Sequence, residues 1–250
     1  MKQKSILIIL CSLITIIGLC HNQKNRHNNQ DEKKLNFSSV LLSYQEAVYG
    51  FIGNNYQRFY IHFDSISPQD SSYMNYLVYG KIMINKKISI VSGKLFIRQI
   101  MKDNKEYNTN YNLQDTEIQK RHSFEKYIMT SELQLFENAH LKESGLIAGI
   151  IKSFFYVKEN VPYFYDIDLE FDDSICNNLF IGEWISYRDN VRKKCCWGTF
   201  RIPSCGDLDV GSAEFHPHPK YKDYGWEDLI RAYETDSDED WAKEHMTWWK

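Results

Sequence analysis

No contiguous segment of this chain carries the spacing of a nucleophile elbow, a zinc-protease helix or a phosphate-binding loop. G-x-S-x-G, a phosphate-binding glycine loop and H-E-x-x-H are all missing. That excludes the enzymes recognisable from one short segment, though not an enzyme whose triad assembles from distant residues. No C-x-x-C pair supports a cysteine-held metal, and the calcium loop with its central glycine is also missing. No cofactor is expected. Proline (5) and glycine (12) are scarce in 250 residues, and a basic surplus is absent, the formal net charge being −3. A nucleic acid or an anionic surface wants a basic face, so nucleic acid is not an expected partner. What the chain has in quantity is aromatic side chains, with 17 Tyr and 14 Phe. Large rings suit the pleated faces of strands.

The N-terminus fixes the compartment. Lys2 and Lys4 precede an apolar run from Ile6 to Leu19 that ends at Cys20. A basic start, a short apolar stretch and a small-residue exit is the layout of a secretory signal over 1–20. The stretch Ser5 to Cys20 is 16 residues, short of the roughly 17–25 of a spanning helix. Ile17-Gly18-Leu19-Cys20 resembles the lipobox of bacterial lipoproteins, although Leu19 stands where that family has Gly, Ala or Ser. The resemblance implies lipidation at Cys20, a membrane partner through that lipid, and a place in a bacterial cell envelope. Gly18-Leu19-Cys20 also reads as an ordinary cleavage site before His21, which would give a soluble secreted or periplasmic protein. Residues 21–34 contain no apolar side chain. Such a segment cannot offset its ordering entropy and serves as a flexible tether.

From residue 35 to 233 the pattern predicts a mainly β domain. Ser38 to Gly50 reads as a short helix, with Leu41, Tyr44 and Val48 on one face. From Arg58 the period changes to two. Strands are expected over Arg58–Asp64, Tyr76–Ile84, Ile88–Ile100, Phe124–Phe136, Leu146–Val157, Tyr163–Phe171, Leu179–Tyr187 and Cys196–Ile202. The polar segment 102–121 is the best internal boundary. Gly80, Gly93, Gly149 and Gly182 each interrupt an apolar strand. Glycine there marks a bend or a close backbone approach, so the sheet should be a strongly curved antiparallel barrel or sandwich. The Phe and Tyr load favours an interior filled by its own side chains. The strands are too few, and the aromatics too scattered, for a membrane barrel. Helix returns over Trp226–Tyr233 and Asp240–Trp249, the latter within an acidic tail, 234–250.

Four clusters are candidates for chemistry. Cys176, Cys195, Cys196 and Cys205 lie close in sequence. In an exported protein they suggest one or two disulfides, with free thiols as the alternative. Adjacent Cys195 and Cys196 should face opposite sides of a strand. Asp207, Asp209, Glu214, His216 and His218 are the candidates for a metal or acid–base site, against a loop held by its own carboxylates. Asp166, Asp168, Glu170 and Asp172 form the acidic face of a solvated strand. Trp226, Trp241, Trp248 and Trp249 either dock the tail on the domain or seek a protein partner. Taken together, the sequence favours an exported, lipid-tethered envelope protein that binds or supports rather than catalyses. The alternatives are an immunity-type inhibitor of a secreted toxin or hydrolase, and a metal-assisted hydrolase.

Overall fold

Alternating apolar and polar residues draw most of the chain into antiparallel strands. The computed structural model describes residues 35–103, 124–141, 143–166, 176–212 and 214–250. The signal, Cys20, the tether, most of the 102–121 segment and the acidic run after Asp166 lie outside the described residues. Nine strands follow α1 (Ser38–Leu42): β1 (Val48–Ile52), β2 (Gln57–Pro68), β3 (Asn75–Ile84), β4 (Lys87–Lys102), β5 (Lys126–Glu137), β6 (Gly145–Lys158), β7 (Val161–Phe164), β8 (Asn177–Ser186) and β9 (Arg192–Thr199). Two helices close the chain, α2 (Glu227–Thr235) and α3 (Asp238–Glu244).

From β1 to β7 each strand pairs with the next, β8 pairs with β6 and β9, and β9 returns to pair with β1. The result is a closed eight-stranded antiparallel barrel. β7 stands outside the ring, sharing one edge of β6 with β8. Tight turns have the handedness that hairpins need. Asn85 and Lys86 between β3 and β4 both have positive φ, as do Glu159 and Asn160 between β6 and β7.

Glycine accounts for the curvature. Leu133, Gly149, Gly182, Cys195 and Ile52 form one cross-strand row through β5, β6, β8, β9 and β1. A Cβ on Gly149 would lie 2.7 Å from the Phe180 ring and one on Gly182 2.5 Å from it. The two glycines therefore leave the space that Phe180 fills. Phe180 stacks on Trp197 at 3.7 Å, and Trp197 stacks on Phe59 at 5.8 Å. Such pairs contribute about 0.5–1.5 kcal/mol each beyond area burial. They close the middle of the barrel, and the void left below them, beside Asn178 and Thr199, is about 10 Å³.

One end is plugged. Phe37, Val40 and Leu41 of the α1 segment join the interior cluster. Phe37 N donates to Tyr76 Oη (3.0 Å), Asn178 Nδ2 donates to the Val40 carbonyl (3.1 Å), and Ser153 Oγ donates to Asn178 Oδ1 (2.6 Å). These bonds satisfy buried polar groups that would otherwise be costly.

The C-terminal segment covers the outside of β1 and β9. Phe51 and Cys196 point outward and pack with Ile202, Leu208, Phe215, Trp226, Leu229 and Ile230. Arg58 projects from β2 and forms a two-pronged ion pair with Glu244 of α3, both side chains 4% exposed. Its guanidinium also lies 4.4 Å from the Tyr60 ring and 4.9 Å from that of Trp226. Burial works against the charge on Arg58, but Glu244 and Tyr60 outweigh it, so its pKa is raised. Among the described residues no helix is long and apolar enough to cross a membrane.

Several boundaries differ from the sequence reading; the strand expected over Tyr163–Phe171, for one, is the short Val161–Phe164. The expected helix over Ser38–Gly50 stops at Leu42. Tyr44 is left-handed (φ 53°), and Val48–Ile52 instead forms the strand that seals the barrel. Partner strands outweigh local helical spacing there. The last strand runs Arg192–Thr199 rather than Cys196–Ile202, ending at Phe200 with φ 66°. The final helix ends at Glu244, so Trp241 and Trp248 do not share a helical face.

Candidate functional site

The residues singled out in the 206–226 loop are occupied in holding that loop. Asp209 accepts from Arg201 (Nη2, 2.8 Å) and from the backbone N–H groups of Gly211 and His216. Asp207 pairs with Lys220 and accepts from Tyr221 (2.7 Å). Those hydrogen bonds, Lys220's first, hold the Asp207 carboxyl below its ordinary range. Glu214 accepts from Tyr233, His216 lies against the Tyr233 ring, and His218 Nδ1 accepts from Lys220 N. Among the described residues no three His, Cys, Asp or Glu side chains converge as a metal site would require. Each of the three carboxylates is aimed at a protein donor.

Cys195 and Cys196 do face opposite ways, Cys195 into the barrel and Cys196 into the outer cluster. Cys195, Cys196 and Cys205 are free thiols, and Cys176 is half-buried just before β8. Cys205 packs beside Cys196, on the far side of the wall from Cys195. Burial pushes the thiols of Cys195, Cys196 and Cys205 upward, which makes them poor nucleophiles.

The tryptophans dock the tail on the barrel. Trp226 is fully buried and donates Nε1–H to the Tyr56 carbonyl at 2.8 Å, so it cannot serve as a partner contact. Trp241 packs on Tyr233 and Trp248 on Tyr60. Trp249 lies flat on His62 at 4.3 Å, and its carbonyl accepts from Lys81. Burial lowers the pKa of His62.

The open volume lies elsewhere, at the end of the barrel opposite α1. A cavity of about 1130 Å³ opens there to solvent, inside the ring of turns after β1, β3, β5 and β8. Small-ligand sites run to about 300–1000 Å³, so a ligand could sit here with water around it. Ile52, Ile82, Ile84 and Trp184 supply apolar surface. Inward alternation places Glu137 at the mouth end of the row that holds Leu133 and Leu135. Glu137 is only 7% exposed; its Oε2 accepts from Gly145 N and from Trp184 Nε1, both at 2.8 Å. These two donors fix the carboxylate and the indole to each other. Lys193, paired with Trp184 across β8 and β9, holds its ammonium 5.3 Å from the indole ring. At the rim, Lys87 pairs with Glu143 (2.8 Å) and Arg188 with Asp189 (3.1 Å), all well exposed. Tyr187 at this end is pushed up to about 12, first by burial and then by the Glu137 charge.

No family model, no curated protein and no solved structure matches this chain. Sequence reasoning missed the mouth because its lining comes from several separate turns. One signal was present: Leu133, Leu135 and Glu137 share a face, and a carboxylate ending an inward apolar row marks where the interior becomes polar.

Proposed function

We propose that this chain is an exported, non-catalytic binding protein, tethered to a bacterial envelope through a lipid on Cys20, that receives a small molecule in the open mouth of its barrel. The observation that carries the reading is the cavity of about 1130 Å³ over Trp184, in a barrel otherwise packed solid. The site is pre-formed, since Trp184 and Glu137 orient one another before any ligand arrives. A non-catalytic role is supported by the chemistry of the lining. Among the described residues around the cavity there is neither histidine nor cysteine. Export and tethering rest on the basic start, the apolar run and the lipobox-like ending at Cys20.

Native mass spectrometry of protein extracted from its own membrane tests both parts. The expected chain begins at Cys20 with added acyl mass and carries a small non-covalent molecule. Ser89→Trp, which fills the mouth, should lose that molecule and keep the acyl mass. Retention of the molecule by Ser89→Trp would move binding away from the mouth. A chain beginning at His21 without lipid would replace the tether with free secretion.

A further inference from the structure

We infer that the mouth selects a small amphipathic anion, a flat or apolar body carrying one negative group. This rests on the reading of the mouth as a binding site and specifies the chemistry of its ligand.

The negative charge of Glu137 is turned into the wall. Its Oε2 is taken by two N–H donors and the residue is almost wholly buried. Lys193 is the opposite case. It is exposed, lines the cavity, and among the described residues has no ion-pair partner; its nearest anchor is the face of Trp184. Lys87 and Arg188 add two cations whose pairs with Glu143 and Asp189 stand in solvent. Exposed pairs of this kind are weak, and a ligand anion can replace either carboxylate at little cost. Lys86 at the tip of the β3–β4 turn extends the positive rim, in a chain whose overall charge is negative. Below these cations, Trp184, Ile52, Ile82 and Ile84 offer an apolar floor. The floor is shallow, because Phe180 and Trp197 close the barrel beneath it. A ring system or short chain fits, with its anionic group held at the level of Lys193. A cationic ligand would meet the lysines before reaching Glu137.

The test compares two fluorescent probes with similar bodies, the anionic 8-anilinonaphthalene-1-sulfonate and the uncharged N-phenyl-1-naphthylamine, on the folded full chain. The sulfonate should bind one per protein and more tightly than the neutral probe. Lys193→Gln should weaken the sulfonate about tenfold and leave the neutral probe unchanged, the loss of one charge-assisted contact. Ser89→Trp should abolish both. Ile90→Ser, which removes the most exposed large apolar side chain of the outer wall, should change neither. If both probes bind equally, are blocked by Ser89→Trp and ignore Lys193→Gln, the mouth is a binding site without anion preference and the inference falls alone. If neither probe responds to Ser89→Trp, or neither binds, the mouth reading falls with it.

Discussion

At the closed end of the barrel, Phe37, Val40 and Leu41 are buried, and the bonds Phe37–Tyr76, Asn178–Val40 and Ser153–Asn178 tie together segments remote in sequence. At the mouth, the ion pairs Lys87–Glu143 and Arg188–Asp189 stand in water, and the inward positions hold Lys193, Ser89 and Trp184. Both ends belong to the same strands. The interlocking buried contacts lie at the closed end and in the middle of the barrel, and the mouth turns its side chains to solvent. Loops on a rigid scaffold commonly carry recognition for this reason.

The aromatic layer that divides the two ends should be the costliest place to break them apart. Phe180→Ala removes the ring that lies across Gly149 and Gly182 and stacks on Trp197, and should lower unfolding free energy by about 3–5 kcal/mol in urea titration. Gly182→Ala approaches the same layer by addition. Its Cβ would meet the Ala148 carbonyl at 2.3 Å, and overpacking of this kind costs about 1–3 kcal/mol. A third pair of variants contrasts the ends directly. Asn178→Ala strands the Val40 carbonyl and the Ser153 hydroxyl, at about 1–3 kcal/mol, whereas Lys193→Gln at the mouth should stay within about 0.5 kcal/mol. Equal losses from Asn178→Ala and Lys193→Gln would erase the distinction.

The smallest effect is a pH dependence. Tyrosine ionises near pH ~10 in an unfolded chain, and Tyr187 is held up to about 12. A raised folded value means that its contribution is complete below the unfolded pKa and is lost as pH rises between the two. Tyr187→Phe should therefore flatten part of the alkaline fall in stability between pH 10 and 12. Tyrosinate absorbance should lose one late-titrating group in the variant. An unchanged titration curve would assign the late group to another tyrosine.

Much of the fold was legible because strand pairing repeats a local rule. Phe59, Ile61 and Phe63 alternate toward the core as written, and the glycines at 149 and 182 do sit where backbones approach. β1 was not legible. Val48 fits a helical face with Leu41 and Tyr44 as well as a strand, and what decides is its pairing with Thr199, far along the chain. The candidate site was harder still. Density of polar residues pointed to Asp207, Asp209 and Glu214, yet those carboxylates hold a loop closed. The mouth is assembled from Ile52, Ile84, Glu137, Trp184 and Lys193, none adjacent in sequence, so no window of the chain contains it.

The seam between β1 and β9 has a kinetic consequence. Every other rung of the barrel joins strands nearer to each other in the chain, β3–β4 as a tight hairpin. This one pairs Val48–Ile52 with Cys195–Thr199, so it waits for nearly the whole polypeptide. The last aromatic residues then lock on later still, Trp249 against His62. Long-range pairings of this type slow folding. A chain that cannot close its ring until Thr199 has been made keeps both edges of its sheet unpaired through most of its synthesis.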